Sequence, residues 1–107
     1  MQPLDPQSAT TATNVAEINK RADLLREAER LVNGDRNTQY DEPAADFART
    51  AAMWSAYLGT PVALHDVAAM MALLKLARIR HSPDKRDSWC DLAGYAACGY
   101  DVATLGE

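Results

Sequence analysis

The stretch Asp66-Val67-Ala68-Ala69-Met70-Met71-Ala72-Leu73-Leu74-Lys75-Leu76-Ala77-Arg78 decides the fold. It is too long and too rich in alanine, leucine and methionine for a strand, and its residues are good helix formers. Apolar side chains cover most of its circumference, the pattern of a helix packed on several sides, so it predicts a central helix from about His65 to Arg80. Ser82-Pro83 stops that helix.

On its C-terminal side, Trp89, Leu92, Ala96 and Tyr100 recur at helical spacing. They predict a fourth helix with one buried stripe, capped at its start by Asp84 or Asp87. On the N-terminal side, Phe47, Ala51, Trp54 and Leu58 share one face of a helix that opens at Pro43 and ends at Gly59-Thr60-Pro61. Further back, Ile18, Ala22, Leu25, Ala28 and Val32, widened by Leu24 and Leu31, predict a first helix, with Asn14 as its cap and Asn33-Gly34 as its stop. Asp35 to Glu42 is polar and aperiodic and reads as a loop. Residues Met1 to Thr13, with two prolines and little apolar content, read as a flexible N-terminal arm, leaving 14–107 as a single helical domain. The fold class is therefore all-α, a four-helix bundle.

Composition narrows the function classes. Of the 107 residues, 48% are hydrophobic but only 7% aromatic, which suits close helix packing over a bulky sandwich core. A core this small gains from oligomerisation, and Gly94 among Ala93, Ala96 and Ala97 offers a surface for a tight helix crossing, within the chain or between subunits. The net charge of −4 and the dispersed basic residues argue against a long nucleic acid as partner. The apolar run Val67 to Leu74 is too short to span a bilayer and no leader pattern opens the chain, so a cytoplasmic protein is expected. Cys90 and Cys98, eight positions apart on one helix, are separated by about 12 Å of rise and read as reduced core thiols. Met70 and Met71 read as core filling, and His65 and His81 as helix-terminal residues.

Candidate chemistry concentrates in two places. Lys75 and Arg78 stand three apart on the otherwise apolar third helix, and a cation there needs an anion. Asp87, Asp91, Tyr95 and Cys98 form a second stripe on the fourth helix that antiparallel packing brings opposite them. Two readings stand side by side: a structural network in which Lys75 or Arg78 pairs with Asp91, and a site where cations take phosphate and aspartates take a divalent metal. The second place is the loop containing Arg36 and Tyr40, a guanidinium and an aromatic ring able to stack on a base.

Taken together, Leu31-Val32-Asn33-Gly34-Asp35-Arg36, Tyr40 with Pro43, Phe47, Trp54-Ser55-Ala56-Tyr57-Leu58, Asp66-Val67-Ala68-Ala69-Met70-Met71, Leu74-Lys75-Leu76-Ala77-Arg78 and Asp87-Ser88-Trp89-Cys90-Asp91-Leu92-Ala93-Gly94-Tyr95-Ala96-Ala97 resemble a family of small uncharacterised bacteriophage and prophage proteins. Its last two helices are similar to the phage nucleotide-modification-associated domain and, more distantly, to MazG-like all-α nucleotide pyrophosphohydrolases. That resemblance implies an oligomeric MazG-like bundle and a nucleotide or nucleotide-derived small molecule as ligand. Its implied contacts are Lys75 and Arg78 on phosphate, Asp87, Asp91 and Tyr95 beside them, and Arg36 and Tyr40 over the base. If the chain is an enzyme, the resemblance implies a magnesium-dependent pyrophosphohydrolase with Asp66, Asp87 and Asp91 as metal ligands. Where those enzymes carry a glutamate cluster on the earlier helix, this chain has Met70, Met71, Lys75 and Arg78, which favours binding an anion over activating water. A further alternative is a non-enzymatic host-takeover protein whose polar cluster is purely structural.

Overall fold

The computed structural model describes residues 19–35 and 42–105, and within them the chain is all-helical. Four helices follow in order: α1 (Lys20–Arg30), α2 (Pro43–Leu58), α3 (Leu64–His81) and α4 (Arg86–Ala103). A wide π-type turn over Leu31–Asp35 extends α1. The expected arm Met1 to Thr13, the Asn14 cap, Ile18, and the loop residues Arg36 and Tyr40 lie outside the described residues.

Helix boundaries follow local chemistry. Pro43 occupies the first turn of α2, where its missing N–H costs nothing. Gly59, with φ of 71°, ends α2 in the left-handed conformation that side chains resist, and its N–H bonds Ser55 O at 2.9 Å. Ser55 then bolts the connection to α3: its hydroxyl donates to Ala51 O at 2.6 Å and accepts from Val62 N at 2.8 Å. Asp66 closes the start of α3 by accepting from Ala63 N at 2.9 Å. The cap of α4 is Lys85, not Asp84 or Asp87; Asp87 sits inside the first turn, where a carboxylate favours the helix dipole.

Helices α3 and α4 form the central pair and run antiparallel, with Lys75 opposite Asp91 near one end and Ala68 opposite Gly99 near the other. α1 lies along the N-terminal half of α4 in the same direction, Leu24 beside Cys90 and Val32 beside Gly94. α2 packs on the opposite end of the pair. There Phe47, Ala51, Val67, Ala68, Cys98 and Val102 form the core, with Trp54, Met71 and Tyr95 partly buried against it.

The buried stripe of α4 is not the one expected. Cys90, Gly94, Cys98 and Val102 face inward, whereas Trp89, Ala96 and Tyr100 are exposed and Leu92 is half-buried. Being sandwiched between α1 and α3, α4 turns its smallest side chains inward so that backbones approach, and its large rings are left outside. Gly94 serves that packing within the chain: a Cβ there would lie 3.2 Å from Val32 Cγ1. Gly99 is tighter still, with a Cβ falling 2.9 Å from Ala68 Cβ. Leu25 and Leu58 are likewise exposed, and of the two methionines Met71 packs on the core while Met70 is 40% exposed.

Candidate functional site

The polar residues of the central pair fall into two groups. Toward the end of the pair that carries the turn, Lys75 Nζ lies 2.9 Å from Asp91 Oδ2. The Lys75 side chain is only 14% exposed and Asp91 39%, so this is a partly desolvated pair on the seam between α3 and α4. It realises the structural reading of the sequence, and with Lys75 rather than Arg78. Tyr95, one turn further along α4, is half-buried against the core cluster.

Arg78 points elsewhere. It is exposed and lines a shallow cavity of about 480 Å³ with Ala77, His81, Ser82, Lys85 and Ser88. Three basic side chains thus converge where α3 ends and α4 begins. The turn between them is built rigidly: Pro83 follows Ser82, Lys85 N bonds Ser82 O at 3.2 Å, and Trp89 Nε1 donates to Pro83 O at 2.8 Å. The expected buried role for Trp89 is replaced by this staple. Cationic side chains at the end of α3 also sit well against its negative dipole end. His81 and Lys85 belong to this cavity and were not read as site residues in the sequence. Their signal was a basic residue on each side of a proline turn, which solvated loops also show.

The three aspartates named as metal ligands do not come together. Asp66 is at the first turn of α3, nine residues and about 13 Å of helix rise from Lys75, which holds Asp91. Asp87 is exposed on α4, one turn before Asp91. Among the described residues no group of three or more His, Cys, Asp or Glu side chains is placed to hold a metal. Any magnesium chemistry at Asp87 and Asp91 would therefore draw further oxygen ligands from substrate phosphate and water.

Among the described residues, Cys90 and Glu27 stand apart from their ordinary titration ranges. Burial pushes the Cys90 thiol up, helped by the carboxylates of Asp91 and Glu27 nearby. The Glu27 carboxyl is held down by its hydrogen bond to Arg30, whose Nη2 lies 2.6 Å away. Cys90 and Cys98 are both buried, and neither is in a disulfide.

Over residues 23–103 the chain matches the family described as a domain of unknown function, DUF6378, and it belongs to that family. It is 43% identical over 75 residues to the Gene 55 protein of Mycobacterium phage D29, and 39% identical over 74 residues to the Gene 55 protein of Mycobacterium phage L5. Those matches take in 70% and 68% of this chain but 50% and 47% of the relatives, so the chain spans about half the length of the curated relatives it matches. No solved structure is significantly similar. The sequence-based expectation of a bacteriophage protein from an uncharacterised all-helical family is supported at that level. Among the described residues no helix is long and apolar enough to cross a membrane.

Proposed function

We propose that this chain binds a nucleotide, or a nucleotide-derived molecule carrying phosphate, at the basic cavity between α3 and α4. The observation that carries this reading is the convergence of Arg78, His81 and Lys85, with the hydroxyls of Ser82 and Ser88, on one cavity at a rigid turn. A guanidinium forks onto phosphate oxygens, an ammonium adds a point charge, and hydroxyls complete the hydrogen bonds. The first-turn amides of α4 border the same turn without a side-chain cap from Lys85, and such amides favour anions. Lys75, tied to Asp91, fixes the helix register that aims Arg78, and Tyr95 buttresses the same seam. Arg36 and Tyr40 remain the candidates for holding the base. A MazG-like ancestry and a role in nucleotide metabolism, or in sequestering a nucleotide signal, fit this ligand class.

Isothermal titration calorimetry with inorganic pyrophosphate, ribonucleoside triphosphates and deoxynucleoside triphosphates tests the reading. Arg78→Met and Lys85→Met should each weaken binding by about 1.5–3 kcal/mol, the worth of a hydrogen bond to a charged group, while circular dichroism stays unchanged. No heat of binding from any of these compounds would end the proposal. With magnesium or manganese present, pyrophosphate release should be weak or absent. Turnover near about 1 per second, abolished by Asp91→Asn, would instead make the chain a pyrophosphohydrolase.

A further inference from the structure

The third helix was expected to be surrounded, yet among the described residues nothing covers one whole side of it. Val67, Ala68, Lys75 and Ile79 point into the molecule, and the residues diametrically opposite on the helix are Ala69, Met70, Leu73, Leu76 and Ala77. Leu73 is 63% exposed and Leu76 46%. A row of large apolar side chains on the outer face of a well-formed helix is a feature that soluble chains cover.

The order of residues along this face says what covers it. Leu73 stands at its middle, with Met70 and Leu76 three residues to either side, Ala69 and Ala77 four to either side, and Asp66 and Arg80 seven to either side. The face therefore reads the same in size from both ends, and opposite in charge. Asp66 commits one oxygen to Ala63 N, and its other oxygen is 3.7 Å from His65 Nε2 on a half-exposed side chain. Arg80 is exposed and makes no ion pair among the described residues.

We propose that this face is the two-fold contact through which the chain pairs with a second copy of itself, the two α3 helices running antiparallel with Leu73 at the axis. Antiparallel pairing places Met70 of one copy over Leu76 of the other, and Asp66 of one copy against Arg80 of the other, twice by symmetry. The alanines at 69 and 77 let the backbones close. Parallel pairing would set Asp66 on Asp66 and Arg80 on Arg80, which like-charge repulsion disfavours. The face meets the basic cavity at Ala77, which borders both, whereas Leu73 lies outside the cavity lining, so Leu73→Glu tests pairing without entering the anion site.

Sedimentation equilibrium of the full chain at up to about 100 μM, a range that detects even weak self-association, should show a dimer. Leu73→Glu places a carboxylate on the axis and should raise the dissociation constant roughly 100-fold or more, with circular dichroism unchanged because Leu73 is 63% exposed within one copy. Arg80→Glu should also weaken pairing. Cysteine cross-linking reads the register without relying on either variant. Leu73→Cys should form a disulfide-linked dimer on mild oxidation, and Met70→Cys should cross-link to Leu76→Cys in a mixture but not to itself. Buried Cys90 and Cys98 do not compete. A monomer across the concentration range, a dimer unaffected by Leu73→Glu, or cross-linking of Met70→Cys only to itself would each overturn the proposal.

Discussion

Lys75 and Asp91 meet across the α3–α4 seam at 2.9 Å, and the lysine is the more deeply placed of the two. An ammonium in that position depends on its partner, because little water reaches it. Asp91→Ala is expected to destabilise the chain by about 1–3 kcal/mol, less than a fully buried pair would lose because Asp91 keeps solvent contact. Lys75→Met, which removes the charge and keeps the aliphatic stem, should cost less than Asp91→Ala. Urea denaturation of the two variants gives the ranking, and a larger loss for Lys75→Met would show that the lysine makes a second contact of greater worth.

The close approach of Gly99 to Ala68 yields a second prediction. A methyl added at Gly99 lands 2.9 Å from Ala68 Cβ, so Gly99→Ala forces α3 and α4 apart and should cost about 1–3 kcal/mol despite the better helix propensity of alanine. At Gly94 the neighbour is the Val32 side chain, 3.2 Å away and near the end of α1, where it can yield. Gly94→Ala should therefore be milder than Gly99→Ala, and Gly94→Leu should overfill the same contact. Thermal melts of the three variants test the order.

The Trp89 staple across the Ser82–Lys85 turn gives a third. Trp89→Phe keeps a ring but removes the donor to Pro83 O, and a loss of about 0.5–1.5 kcal/mol is expected, the net worth of one hydrogen bond. Because the turn carries Lys85, calorimetry of the same variant should also show weaker anion binding. Unchanged affinity would mean that the cavity does not need the staple.

Alkaline pH supplies a fourth. The Cys90 thiol is raised by burial first and by Asp91 and Glu27 second. A thiol raised on folding holds its proton longer in the native state than in the unfolded one. Its contribution is complete below the unfolded value of about 8.5 and declines as pH climbs above it. Stability should fall between neutral and strongly alkaline pH, and part of that fall should vanish in Cys90→Ala after correction for the lost packing. Cys90 should also react with thiol reagents more slowly in native protein than in urea at pH 8. Equal rates would show that the α1–α4 contact opens readily.

The helical class, the four segments and most of their ends were legible in the sequence because they rest on local rules. Pro43, Gly59, Ser82-Pro83 and the 3.6-residue recurrence of apolar side chains act over a few residues and need no partner. That a cation of α3, Lys75 or Arg78, would pair with Asp91 was also legible, since two helices joined by a short turn pack antiparallel; the structure chose Lys75. Which face of each helix is covered was decided only by tertiary structure. On α4 the stripe of large residues lost to the stripe of small ones, because lodging a helix between α1 and α3 rewards close backbones more than bulky side chains. Arg78 and Lys75, three residues apart in sequence, were separated into a basic cavity at the Pro83 turn and a helix seam against Asp91. The bare side of α3 was invisible for the same reason: an all-round apolar helix declares that every face can be covered, and only the arrangement of its neighbours shows which one they leave open.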